Sequence, residues 1–397
     1  MAKRVVISGI GVISSIGIGK DDFWKSLIAG KSGISTITSF DTSEFSTHLG
    51  GEIKDFDSKA KTIGRASQLA IAAGSLALTD ARIELSVLDK EKIGVALGTT
   101  MGESQIFQEL NAAWVKNNQE AIDPSLIRIL PADNLCKNLA GEFDLRGPAC
   151  IIPTACAAGN YAIGYAFDRI RLDEARIMLA GGTDAFSRLA FIGFNRLLAI
   201  APDKVRPFDK NRKGMMVGEG SGIVVVESLE NALERNAVIY AEILGYGLSC
   251  DAHHMTAPYS EGISEAITKS LKESGITADD VDYYNAHGTG TPANDKEECL
   301  AIRKVFGERY KRIAVSSIKS MLGHTMGAAS AIEAIACALS VKNDIIPPTI
   351  NFETPDPDCD IDCVPNVCRR QEVNIALNSA SAFGGNNACL VLKKFLA

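Results

Sequence analysis

No stretch of this sequence is apolar for long enough to cross a membrane as a helix, which takes about 20 predominantly apolar residues. The start of the chain also lacks the core of a secretion signal. Lys3 and Arg4 are followed by an apolar run of only Val5, Val6 and Ile7. Positive charge is in short supply: the formal net charge is −7, with no basic block. Nucleic acid and membrane surfaces are therefore not expected as partners. The opening glycines lack the third member of a dinucleotide fingerprint. The sixth position of Gly9-Ile10-Gly11-Val12-Ile13-Ser14 is serine. That rules out a nucleotide site there and leaves Gly9 and Gly11 to a tight turn. Ten cysteines occur, but even the cluster of Cys359, Cys363 and Cys368 has no zinc-like spacing. No metal and no cofactor are expected. The chain is too long for a disulfide-stapled miniature, so reduced thiols and a cytoplasmic location are expected.

Apolar residues make up 46% of the chain and charged residues 22%, the balance of an ordinary globular protein. Its 397 residues exceed one hydrophobic core, so two domains or a duplicated one are expected. Apolar runs and helical patterns alternate along the chain, which predicts an α/β fold. The second part echoes the first in order. A strand over 93–97 enters the glycine loop 98–102, and a strand over 281–286 enters Gly288-Thr289-Gly290. Small, apolar helices are predicted over 157–172 and 328–339. Two related halves follow, 1–235 and 236–397, with their central loops at one shared site.

The chemistry centres on Pro153-Thr154-Ala155-Cys156-Ala157-Ala158-Gly159. A buried strand over 149–152 precedes it and a helix follows. Cys156 thus sits at a helix start, where unpaired N–H groups and the dipole favour a thiolate. A lowered thiol pKa is the expectation. Against this stands the role of most free cysteines, a small core hydrophobe. His48 lies in a polar loop, and the adjacent His253 and His254 point apart if extended. His287 and His324 differ. His287 ends an apolar strand, and His324 sits in Lys319-Ser320-Met321-Leu322-Gly323-His324-Thr325-Met326-Gly327-Ala328-Ala329, ahead of the second small helix.

These motifs resemble those of the β-ketoacyl-acyl carrier protein synthases, elongating condensing enzymes of the thiolase-like superfamily. The resemblance rests on Thr154 to Gly159, His287 to Thr291, Lys319 to Ala329 and Phe383-Gly384-Gly385-Asn386-Asn387, and runs over the whole chain. Arg206-Pro207-Phe208-Asp209 adds to it, and Gly218-Glu219-Gly220 resembles the type II branch. It implies two thiolase-like halves stacked in αβαβα layers. It also implies that Cys156 holds an acyl group as a thioester, with the N–H groups of Cys156 and Phe383 as oxyanion hole. Malonyl-acyl carrier protein would then lose CO2, with two neutral imidazoles, His287 and His324, stabilising the enolate. Lys319 would tune His324 or pair with Glu298. Thr289 and Thr291 would contact the pantetheine arm, Phe383 and Gly384 would gate the acyl pocket, and Met101 would line it or fill core. Asp295 and Glu298 would support the histidine loop. A homodimer with residues 149–154 near the two-fold is implied, or a heterodimer with a related subunit. The stretch from Glu103 to Arg146 looks short beside the housekeeping relatives, which keeps a polyketide or other specialised acyl chain open as the substrate.

Overall fold

In the computed structural model, residues 3–58, 63–117 and 123–396 are described. Among the described residues, ten strands form the main path of one sheet: β1 (Val5–Ser14), β2 (Ile93–Gly98), β3 (Ala149–Ile152), β4 (Ile177–Asp184), β5 (Gly220–Ser228), β6 (Ala241–Cys250), β7 (Tyr283–Asn285), β8 (Ala314–Ser316), β9 (Ile375–Ser381) and β10 (Asn386–Lys393); the two-residue strand Gly17–Ile18 pairs with β1 off this path as an eleventh. Their order is β8-β7-β9-β10-β6-β1-β5-β4-β2-β3. The first five and the last five strands have the same topology, with order third-second-fourth-fifth-first. In each half the first three of these pair in parallel and the last two antiparallel. The halves meet where Val5–Ile7 of β1 pairs with Ala241–Ile243 of β6.

Helices separate and cover the halves. α1 (Arg65–Asp80) and α2 (Asn134–Phe143) pack on the outer face of the first half. α4 (Ser260–Ser274) and α5 (Pro292–Phe306) cover the second. Between the halves lie α3 (Ala158–Arg171) and α6 (Ala329–Asn343). A helix between the two halves of the sheet must bury its whole surface, and every α6 residue from Ala329 to Val341 is buried. Small residues let the central helices approach closely: a Cβ on Gly159 would lie 2.5 Å from the Ala331 nitrogen. The result is the αβαβα layering.

Three expectations need correction. Gly9 and Gly11 lie inside β1, not in a turn. A Cβ on Gly11 would lie 1.8 Å from the Ala73 carbonyl oxygen, so these glycines admit the alanine-rich face of α1. β3 is only half-buried, with Ala149 exposed, because it is the edge strand with β2 as its one neighbour. His253 and His254 lie in a loop beyond β6 and are exposed.

Candidate active site

Cys156 occupies a single 3-10 turn, Ala155–Ala157, that leads from β3 into α3. Ala155 takes φ +51°, a left-handed conformation costly for a residue with a Cβ. The second half repeats this turn. Met326–Ala328 leads into α6, and Met326 takes φ +53°. The repeat puts Gly327 where the first half has Cys156, and it puts His324 just ahead of the turn.

His324 is held by its backbone. Its N–H donates to the Met216 carbonyl at 2.7 Å, and its carbonyl accepts from Gly218 N–H at 2.9 Å. The Met326 N–H donates to His324 Nδ1 at 3.1 Å. Nδ1 is therefore the acceptor, and the proton of the neutral ring sits on Nε2. His287 follows β7, and Glu298 of α5 fixes its loop. The Glu298 carboxylate accepts from His287 N–H at 2.7 Å and Gly288 N–H at 2.8 Å. Asp295 adds a bond from Gly290 N–H at 3.1 Å and one from Phe208 N–H at 2.8 Å. The two imidazoles meet edge to face, centroids 5.4 Å apart. Burial, and then the Lys319 charge, hold both well below the usual histidine range. Both rings are neutral at physiological pH and so able to donate an N–H.

Cys156, His287 and His324 line one cavity of about 330 Å³ together with Thr289, Thr291 and Phe383. Thr289 and Thr291 share a hydroxyl–hydroxyl bond at 2.9 Å. Phe194, Leu197, Leu198 and Met215 form an apolar wall. Phe383 is 40% exposed and rests on Phe194, ring centroids 5.7 Å apart. After it Gly384 and Gly385 take φ +82° and +80°, which side chains resist. Gly384 supplies backbone freedom and does not itself line the cavity. Met101 does not line it either. It packs against the core cluster of Ile37, Phe186 and Phe191, to which Met215 also belongs, so its core role is the observed one.

Two electrostatic expectations change. Lys319 is buried and pairs with Glu333 of α6, not with Glu298. The Cys156 thiol is pushed up to about 12, because burial outweighs the pull of Lys319. The group is a thiol at neutral pH, and the helix start does not ionise it against this burial. Two groups of the site were not foreseen. Glu333 is the one charge in the buried stretch Ala329–Val341 of α6, a signal open to notice. Asp184 ends β4, fully buried.

Comparison with known proteins follows the same division of the chain. The model of the β-ketoacyl synthase N-terminal domain matches residues 2–232, and that of the C-terminal domain matches 240–353. The 3-oxoacyl-[acyl-carrier-protein] synthase 2 of Synechocystis is 41% identical, over 99% of this chain and 98% of the relative. That of Coxiella burnetii is 40% identical over 99% of each. Among solved structures, the ishigamide ketosynthase/chain length factor is 46% identical with a TM-score of 0.97, covering both chains in full. A type II polyketide ketosynthase in complex with its acyl-carrier protein is 32% identical with a TM-score of 0.94, also over both full chains. A strand-for-strand duplicated fold, the Cys156 and His324 turns at equivalent places and full-length likeness agree: this chain belongs to the β-ketoacyl synthase family.

Proposed function

We propose that the chain catalyses decarboxylating condensation of an acyl thioester with malonyl-acyl carrier protein, giving a 3-oxoacyl-acyl carrier protein two carbons longer, with Cys156, His287 and His324 as the working groups. The observation that carries this reading is the shared cavity wall: one thiol at a helix start and two neutral imidazoles.

The Cys156 sulfur attacks the acyl carbonyl on the first carrier protein. The old C–S bond breaks, and the departing pantetheine thiol carries the proton lost by Cys156. The N–H groups of Cys156 and Phe383 receive the oxyanion. Malonyl-carrier protein then enters along Thr289 and Thr291. Its C–CO2 bond breaks, CO2 leaves, and the electron pair moves onto the thioester oxygen. That oxygen takes N–H bonds from the two imidazoles. A charged imidazolium would hand its proton to the enolate and quench its carbon as a nucleophile, so neutral rings that only share an N–H suit the task. The enolate carbon attacks the acyl carbonyl, a C–C bond forms, the acyl C–S bond breaks, and the departing Cys156 thiolate takes one proton from solvent, the proton that the overall reaction consumes. Lys319 acts on this set through its charge, Glu298 and Asp295 by holding the His287 loop. Phe383, on its glycine hinge, gates the apolar wall where the acyl chain rests.

The half-buried apolar edge strand β3 supports pairing with a second copy of the chain or a related subunit. The 46% identity to the ishigamide ketosynthase/chain length factor favours a second reading of the substrate, a polyketide-type acyl chain. Acyl-carrier proteins of graded length and unsaturation, supplied with malonyl-carrier protein, test both readings. A product two carbons longer with one CO2 released supports condensation, and the preferred chain decides between fatty and polyketide substrates. Product without CO2, or none from any chain, contradicts the reading.

A further inference from the structure

Asp184 carries a carboxylate shut off from solvent, and among the described residues no lysine or arginine pairs with it. Four donors converge on it instead. Oδ1 accepts from the Thr99 hydroxyl at 2.7 Å and Met101 N–H at 2.9 Å. Oδ2 accepts from Thr100 N–H at 2.8 Å and Gly327 N–H at 2.6 Å. Three of these donors belong to the loop after β2, in the first half. The fourth belongs to the turn before α6, in the second half, and the next N–H back along that turn is the one Met326 gives to His324 Nδ1.

The turn needs holding. Met326 is left-handed at φ +53°, and Gly327 is pressed against the Thr99 backbone so closely that a Cβ would lie 2.5 Å away. We propose that Asp184 is a positioning residue for His324: its carboxylate clamps the Thr325–Ala328 turn, so that Met326 N–H occupies Nδ1 and the Nε2 proton stays free for the substrate. The proposal rests on the reading that His324 stabilises the enolate. Burial raises Asp184 only to about 6, so near neutral pH it is an acceptor on both oxygens, as four donors require. Its effect on Cys156 is the reverse of help, because its negative charge pushes the thiol up. Loss of Asp184 should therefore harm decarboxylation and spare acylation. A carboxylate that merely braced the fold would harm both alike.

Asp184→Asn keeps the shape but turns an amide N–H toward two of the four donors. CO2 release from malonyl-carrier protein should fall about 10²-fold, the scale set by misplacing a reacting group by an ångström. Single-turnover acylation of Cys156, read by intact mass, should stay within about threefold of the unaltered protein. Thr99→Val is the milder variant, removing one donor, and should lower CO2 release about threefold with acylation unchanged. It serves where the asparagine form does not accumulate folded. In Asp184→Asn/His324→Ala, CO2 release should be no lower than in His324→Ala alone. Imidazole 15N shifts should show one tautomer at His324 in the unaltered protein and a mixture in Asp184→Asn, with His287 unchanged. Equal loss of both half-reactions, loss of neither, or an unmoved His324 tautomer would overturn the proposal. Should His324→Ala itself release CO2 at the full rate, the role of His324 fails, and the tautomer measurement judges Asp184 separately.

Discussion

Replacing Lys319 by methionine separates what its charge does for the fold from what it does for the chemistry. The Lys319 and Glu333 side chains are each 2% exposed, and Glu333 Oε2 has no hydrogen-bond partner among the described residues. Methionine keeps much of the stem and removes the cation, leaving a buried carboxylate uncompensated. Breaking a buried pair from one side costs about 3–5 kcal/mol. At about 2.1 cal/mol/K per residue, the unfolding entropy of this chain is about 0.8 kcal/mol/K. The melting temperature should therefore fall by about 4–6 °C. Glu333→Gln, which strands the ammonium instead, should cost about the same. The double variant Lys319→Met/Glu333→Gln strands no charge, and its melting temperature should return to within about 2 °C of the unaltered protein. Activity should not return with it. The Lys319 charge helps to hold both imidazoles down. Without it their pKa values rise, so the acid limb of CO2 release should move to higher pH in Lys319→Met and in the double variant alike. Thermal melts beside CO2 release across acid and neutral pH provide the test. A double variant destabilised by the sum of the single changes, or one with an unmoved pH profile, would rule out these two roles of the Lys319 charge.

Glu298→Gln should lower CO2 release at least about tenfold by loosening the His287 loop, with acylation of Cys156 less affected. Its stability has a pH signature. Burial raises Glu298 from 4.5 to about 7. Between those values the folded carboxyl keeps a proton that the unfolded chain has released, so stability is lost as pH rises. Glutamine does not titrate, so the deficit of the variant should shrink by about 3 kcal/mol across that range. Denaturant melts at both ends would show it, and a widening deficit would contradict it. Phe383→Ala gives up one ring contact, about 1 kcal/mol, so it should melt within about 2 °C of the unaltered protein. Its discrimination between competing acyl chains should fall about threefold or more, measured by mixed-substrate acylation.

That Cys156, His287 and His324 face one cavity was legible in the sequence because each sits in a run of small residues at an element boundary, where chain direction alone fixes the neighbourhood. The duplication was legible as a repeated order of strand, glycine loop and small helix. What escaped depended on contacts between distant segments. Glu333 lies one turn inside α6, and only the folded chain brings it against Lys319, so Glu298 was the partner expected. Asp184 carries no local signal of its role: it is the last residue of β4, and its donors come from the loop after β2 and the turn before α6. Gly9 and Gly11 read as a turn because nothing local announces the helix face that needs their missing side chains. The Cys156 thiol was expected low from its helix start. The burial that outweighs this comes from the second half and cannot be read from the motif.

In the proposed reaction Cys156 holds the growing chain as a thioester. The most direct measurement is the intact mass of the protein after mixing with acyl-carrier proteins of graded length, beside Cys156→Ala. One acyl adduct per chain, mapped to Cys156 and missing from Cys156→Ala, is the predicted result. An adduct of equal yield in Cys156→Ala would contradict the account.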